Sequence, residues 1–375
     1  MLKTKILVIG PLNTPFKSGV TNALNTTIHI LKEKNFIIKL STAKKVSTRN
    51  VRKFQIKRIF AFLILLKNFI KNIRKANLIY YIASLSYLGF IRDSIIIIIS
   101  KLYNKKIYVH VHGGNFKKNL LNNFILSSVI INLYKLVDRV FILSYKFRKD
   151  FYFLNKSNIS VLPNTIPLNL NNTFIKKKKS KYSKKIKILF LSNLIPSKGY
   201  FDLLKTCKLL KDKNIDFECV FAGKFLSVYS KDNTVKLENE FQIFLNENRL
   251  SSNVKLIKSL SLKKKISLLK NSNIFILPTK YPGEGLPISL IEAAFYGLPI
   301  ISTKFSGISD IVKNGKNGYL IEKTDPKLIY LKIFSVFKNK KIYENMSRYS
   351  HYVYSKKFSF NKIKSITEKC FEIRK

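Results

Sequence analysis

Hydrophobic and polar positions alternate along this chain in a repeating order. Lys5–Ile9 is an apolar run that predicts a first strand, closed by Gly10 and Pro11. A loop with Ser18 and Gly19 follows, and helical spacing of apolar positions resumes from Thr21 through Leu31. Strand, glycine-containing loop and helix in that order open a Rossmann-like unit. Phe36–Leu40 and Leu78–Tyr81 predict further strands. Phe54–Ile73 predicts a helix, apolar nearly all round but punctuated by Lys and Arg. The β-branched run Ile95–Ile99 fits strand or helix, because periodicity does not separate the two in so short a run. Ile107–Val111 predicts a strand that delivers His112 at its end, and Val140–Leu143 and Ile159–Leu162 predict two more.

This alternation defines a first α/β unit over residues 1–167. Residues 168–185, LNLNNTFIKKKKSKYSKK, are too polar and basic for a core and predict a linker or exposed loop. A second α/β unit, residues 186–345, repeats the order. Its predicted strands are Ile186–Leu191, Phe217–Phe221, Val254–Ile257, Ile274–Leu277 and Pro299–Thr303. Its predicted helices are Gly199–Leu210, 237–247, Ser261–Leu269 and Leu286–Phe295. Residues 346–375 read as C-terminal helices that pack back on the first unit, the last being Phe358–Ile373. Two doubly wound units place a ligand cleft between them, at the carboxyl ends of their strands.

Composition changes this picture little. At 375 residues and 46% hydrophobic, the chain can build two ordinary cores. The three cysteines, Cys207, Cys219 and Cys370, form no CxxC pair and no cluster with histidine, which excludes a disulfide framework or structural zinc and fits a reducing compartment. The formal net charge of +50 suggests nucleic acid or an anionic membrane. Lys shares A/T-rich codons with the abundant Ile, Asn, Phe and Tyr, however, and Trp is absent, so part of the charge is genomic drift. No helix-turn-helix, zinc finger or RNA-recognition module accompanies it, and no specific nucleic acid is expected. The start shows no signal peptide. The best spanning candidate, Phe60–Leu66, is too short and is flanked by Lys57, Arg58 and Lys67. A cytoplasmic location is the expectation, with peripheral attachment to the inner face of a membrane through the basic N-terminal half.

Three stretches carry chemistry. In PTKYPGEGLPISLIEAAFYGLPIIST, a predicted strand ends at Leu277, a Gly/Pro loop follows, and a helix starts near Leu286–Pro287. Open N–H groups at a helix start bind anions, and Gly285 lets a phosphate oxygen approach the backbone. Glu284 sits in the loop and Glu292 inside the helix. The plain alternative is a strand–turn–helix with a capping acid. In LFLSNLIPSKGYFDLL, Lys198 lies beside Gly199 at a helix start, where its charge suits a phosphate. One lysine among 70 basic residues is otherwise solvated surface. In IYVHVHGGNF, His110 and His112 share a strand face before Gly113–Gly114. No third ligand makes them a metal site. His112 suits a hydrogen bond to a sugar or phosphate, whereas His110 reads as a satisfied core residue.

In that order, these motifs resemble the family-4 retaining glycosyltransferases of GT-B architecture, also called glycosyl transferases group 1. The resemblance runs over residues 5–325, and its most specific part is E-x7-E, Glu284 to Glu292 in EGLPISLIE, followed by GLPII and SGISDIVKNGKNGYLIE. It implies an α/β fold of two Rossmann-like domains facing each other across a cleft. Glu284 would approach the donor sugar, Glu292 would bind the nucleotide ribose, and the backbone of Gly285, Leu286 and Pro287 would contact the diphosphate. It further implies Lys198 as a diphosphate ligand, Gly19 beside the β-phosphate, His112 bordering the reaction centre, and Pro163–Asn164 closing the first domain. The implied activity is retaining transfer of a sugar from a nucleotide-diphosphate sugar to a glycan or lipid-linked acceptor, without a metal, in cell-surface polysaccharide synthesis. His112, Lys198 and Glu284 are the catalytic candidates. The acceptor is expected on segments near 13–19, 54–90 and 112–120. Three positions depart from the pattern: Asn193 stands where an Arg is usual, Val20 where a second glycine is usual, and Lys258 where a glycine follows the strand Val254–Ile257. A catalytically silent carbohydrate-binding scaffold and a nucleotide-sugar epimerase are the alternatives on the same fold.

Overall fold

The computed structural model describes residues 3–12, 19–42, 51–166, 182–227 and 232–371. The linker expected at 168–185 lies mostly outside them, as do Ser18 and the acceptor loop near 13–18. The chain divides into two compact units, Met1–Leu168 together with Phe360–Lys375, and Asn169–Ser359.

The first unit alternates β1 (Lys5–Gly10), α1 (Gly19–Lys32), β2 (Phe36–Ser41), α2 (Val51–Ile73), β3 (Leu78–Ile82), α3 (Tyr87–Leu102) and β4 (Lys106–Val111). Then follow α4 (Phe116–Leu120), α5 (Phe124–Lys135), β5 (Arg139–Ile142) and β6 (Ile159–Val161). All pairings are parallel, in the order β2-β1-β3-β4-β5-β6. β1, β3 and β4 are buried almost throughout, as expected of parallel strands covered by helices on both faces. The ambiguous run Ile95–Ile99 is helical. Ser86 starts that helix, its side chain accepting the Gly89 N–H at 3.2 Å, and Phe90, Ile96 and Ile97 fill the core on one face.

The second unit contains β7 (Ile186–Leu191), α6 (Tyr200–Asp212), β8 (Phe217–Ala222), α7 (Asp232–Glu247), β9 (Val254–Ile257), α8 (Leu262–Asn271) and β10 (Ile274–Leu277). It continues with α9 (Ile288–Phe295), β11 (Ile300–Thr303), α10 (Ile308–Ile311), β12 (Gly318–Ile321), α11 (Pro326–Phe337) and α12 (Lys340–Val353). Its six strands are again parallel, ordered β12-β11-β10-β7-β8-β9. The strand order reverses between β7 and β10, and the loops leaving their carboxyl ends therefore flank the switch point where such sheets bind ligands.

The C-terminal helices divide. α12 stays with the second unit, and α13 (Phe360–Cys370) belongs to the first. Ile363 and Phe371 enter a core with Tyr80, Tyr108 and Phe141, and Phe371 stacks on Phe141 at 5.3 Å. Lys364 pairs with Glu33 at the surface.

Candidate functional site

Two loops meet at the switch point of the second sheet. The loop after β7 passes through Pro196–Lys198, one turn of 3-10 helix, to Gly199. Gly199 has φ 73°, and a Cβ there would come within 2.2 Å of the Pro278 carbonyl oxygen, so only glycine fits. The close approach brings the loop after β10 alongside, and the Lys280 N–H donates to the Ser197 carbonyl at 2.7 Å. Lys198 thereby reaches Glu284. Its Nζ donates to Glu284 Oε2 at 2.6 Å and lies 4.9 Å from the Tyr281 ring centre. Thr279 Oγ1 donates to the same carboxylate oxygen at 3.2 Å. Both members of the pair are largely buried, with side chains 12% and 9% exposed. The catalytic candidates Lys198 and Glu284 thus form one ion pair across 86 residues of sequence.

The backbone behind them is fixed. Ser306 Oγ donates to the carbonyls of Glu284 and Gly285 at 2.5 and 3.1 Å, and the Gly307 N–H donates to Gly285 at 3.1 Å. Helix α9 starts at Ile288, two residues beyond Leu286, and Pro287 is its cap. The Leu290 and Ile291 N–H groups close onto the Pro287 carbonyl, which, among the described residues, leaves those of Ile288 and Ser289 as the open donors of the first turn. Gly285, Leu286 and Pro287 are therefore a buried approach to the helix rather than its first turn.

Glu292 lies one turn into α9 and is 1% exposed, among Leu290, Ile291, Ala293 and Ala294. It is neither an exposed acid nor a cap. Lys265 of α8 forms an ion pair with its Oε1. Burial pushes the Glu292 carboxyl above the usual range, and Lys265 opposes that rise. Burial and the nearby Glu292 push the Tyr296 hydroxyl up to about 12. Sequence reasoning did not find Lys265, because it ends a run of three lysines in which nothing marks one from the next. Asn193 is exposed and brings no charge.

In the first unit, Gly19 is the exposed first residue of α1. His110 and His112 are buried, with their ring centres 4.0 Å apart and the planes tilted by 36°. Tyr80 hydrogen-bonds His110 Nδ1 at 2.6 Å, as a core histidine requires. Burial pushes the His112 imidazole down to about 4, with Asn164 facing the ring and opposing that fall. Neither His112 nitrogen makes a hydrogen bond of regular geometry. His112 is therefore a neutral ring at physiological pH, with hydrogen-bonding capacity to spare. A second polar network escaped the sequence reading: Arg92 and the Ser84 N–H hold buried Asp93 at 2.9 and 2.7 Å, and Tyr81 donates to it. Among the described residues no group of three or more His, Cys, Asp and Glu side chains could hold a metal ion, and no helix is long and apolar enough to cross a membrane.

Two doubly wound parallel sheets in separate units are the elements of the GT-B architecture. The solved structure of Anabaena HepE in complex with UDP and glucose has the same fold, with a TM-score of 0.72 and 14% identity over 99% of this chain and 100% of that one. Residues 171–352, within the second unit, match the family of glycosyl transferases group 1. The capsular polysaccharide biosynthesis glycosyltransferase CapM of Staphylococcus aureus is 30% identical over 170 residues, 45% of this chain and 41% of CapM. The uncharacterized glycosyltransferase MJ1069 of Methanocaldococcus jannaschii is 28% identical over 284 residues, 71% of this chain and 69% of its own length. The match to CapM thus spans less than half of that relative.

Proposed function

We propose that this protein transfers a glycosyl group, with retention of configuration, from a nucleoside-diphosphate sugar to a glycan or lipid-linked saccharide, in cell-surface polysaccharide synthesis. The Lys198–Glu284 pair at the β7/β10 switch point carries this reading. A partly buried lysine beside a helix start suits a diphosphate, and a buried acid beside it suits the hydroxyls of a sugar. The CapM and HepE likenesses support the donor and product classes, since one is named for capsular polysaccharide synthesis and the other was solved with UDP and glucose.

In the reaction, an acceptor hydroxyl oxygen bonds to the anomeric carbon as the bond from that carbon to the β-phosphate oxygen breaks. The hydroxyl proton passes to the departing phosphate. Negative charge grows on the leaving group, and Lys198 with the open N–H groups of Ile288 and Ser289 would stabilise it. The diphosphate competes for the Lys198 ammonium, which leaves Glu284, still bonded by Thr279, to accept from the sugar. Neutral His112 would serve the reaction as a hydrogen-bonding group rather than as a charge. Gly19 would lie beside the β-phosphate, and the acceptor would bind the first unit.

Peripheral attachment to an anionic membrane belongs to the same reading. α2 exposes Ile59, Phe60, Leu63 and Ile64 while it buries Leu65, Phe69 and Ile73, and lysines interrupt the exposed face.

A thermal-shift screen against UDP-, GDP-, ADP- and CMP-sugars tests the donor class. NMR of the product's anomeric carbon tests retention. Stabilisation by none of the donors overturns the reading, and release of a free epimerised nucleotide sugar without acceptor replaces transfer with epimerisation.

A further inference from the structure

Lys265 is the cation that Glu292 meets, and its place needs a reason. The carboxylate is enclosed by apolar residues of α9, while the Lys265 side chain keeps 21% of its surface open to solvent. A carboxylate buried this deeply loses its water, and its pair with a partly open lysine contributes little to stability compared with two well-packed apolar side chains. α9 would therefore tolerate a hydrophobic residue at position 292 facing one at 265. The lysine occupies Oε1, and among the described residues no second donor reaches the carboxylate. Oε2 is left to accept from something other than protein. The Ser261 side chain, accepting the Lys264 N–H at 3.2 Å, anchors the start of α8 and so the position of Lys265.

We infer that Lys265 is a positioning residue for nucleotide binding: it keeps Glu292 ionised and clamps one carboxylate oxygen, so that the other faces a ribose hydroxyl. This rests on the reading of the second unit as the donor domain. Other titratable or charged groups around α9 are few. Tyr296 caps the same helix, His351 of α12 binds the Phe295 carbonyl at 2.8 Å, and α10 carries Asp310.

Wild type, Lys265→Met, Lys265→Arg and the double variant Lys265→Met/Glu292→Gln are compared by calorimetric titration with UDP, GDP and ADP, and by thermal unfolding from about pH 5 to about pH 8. For the nucleotide that wild type binds, Lys265→Met loses about tenfold in affinity. Lys265→Arg recovers most of it. Without its cation the Glu292 carboxyl takes up a proton in the folded state, so the stability deficit of Lys265→Met grows as pH rises. The double variant removes that pH dependence. A deficit that is constant with pH, together with unchanged affinity, overturns the role of Lys265 while leaving the donor reading intact. Wild type that binds none of the three nucleotides overturns the donor reading, and the ribose role with it.

Discussion

Lys198 and Glu284 neutralise each other in a nearly dry site, and that pairing governs what each substitution should do. Lys198→Ala leaves Glu284 buried with Thr279 as its remaining donor and removes the cation proposed to meet a departing phosphate. The expected result is a turnover lower by about 10²-fold, the scale of losing one electrostatic donor to a developing anion. Steady-state rates at saturating donor measure it. Asn193 cannot compensate, since it carries no charge. Glu292→Ala acts differently. It removes the proposed acceptor for the ribose and strands Lys265, so affinity for the free nucleoside diphosphate should fall by at least about tenfold, or about 1.4 kcal/mol. Wild type, but not the variant, should separate ribose from 2′,3′-dideoxyribose nucleotides in calorimetric titration. Equal affinities would remove Glu292 from the site.

At the scale of elements, α2 shows how an ambiguous pattern resolves. A helix apolar nearly all round is either enclosed or serves two surfaces. α2 does the second: Leu65, Phe69 and Ile73 go into the core, and Ile59, Phe60, Leu63 and Ile64 stay more than half exposed. α3 repeats the arrangement with Leu88, Ile91 and Leu102 outside. Exposed apolar side chains among lysines suit an anionic bilayer, where the charges add attraction that salt screens. The protein should float with vesicles of anionic lipid at low salt and less so as salt is added. Leu63→Ser/Ile64→Ser should weaken flotation without changing the fold. Absence of flotation at low salt would refute the assignment of this face.

At the scale of the whole molecule, stability should carry the signature of the buried histidines in the first unit. Burial and the neighbouring His112 depress His110, and burial holds His112 near 4. The unfolded chain binds the His112 proton near pH 6.5, whereas the folded chain refuses it until about pH 4. Stability is therefore full above the unfolded value and is lost as pH falls through that window. His112 alone accounts for on the order of 3 kcal/mol of the fall. Glu292 contributes with the opposite sign, since burial raises its carboxyl against the opposing Lys265, so its contribution grows as pH falls. Thermal unfolding of wild type and His112→Asn across that range should show a shallower acid slope in the variant.

Strands were legible in the sequence because parallel strands buried on both faces read as short apolar runs, and Val254–Ile257 and Ile274–Leu277 appear with the bounds their pattern predicts. The loop between β10 and α9 was legible because its glycines, prolines and acids are local chemistry. Helix starts were less so: α9 begins two residues after Leu286, since Pro287 serves better as a cap with no N–H than as an interior residue. Charge partners were not legible at all. With 70 basic residues, sequence cannot say which lysine meets which acid. The parallel sheet order brings the loop after β7 against the loop after β10 and joins Lys198 to Glu284, and the packing of α8 near α9 joins Lys265 to Glu292. Local periodicity is written residue by residue, but a contact across 86 residues exists only once the sheet has folded.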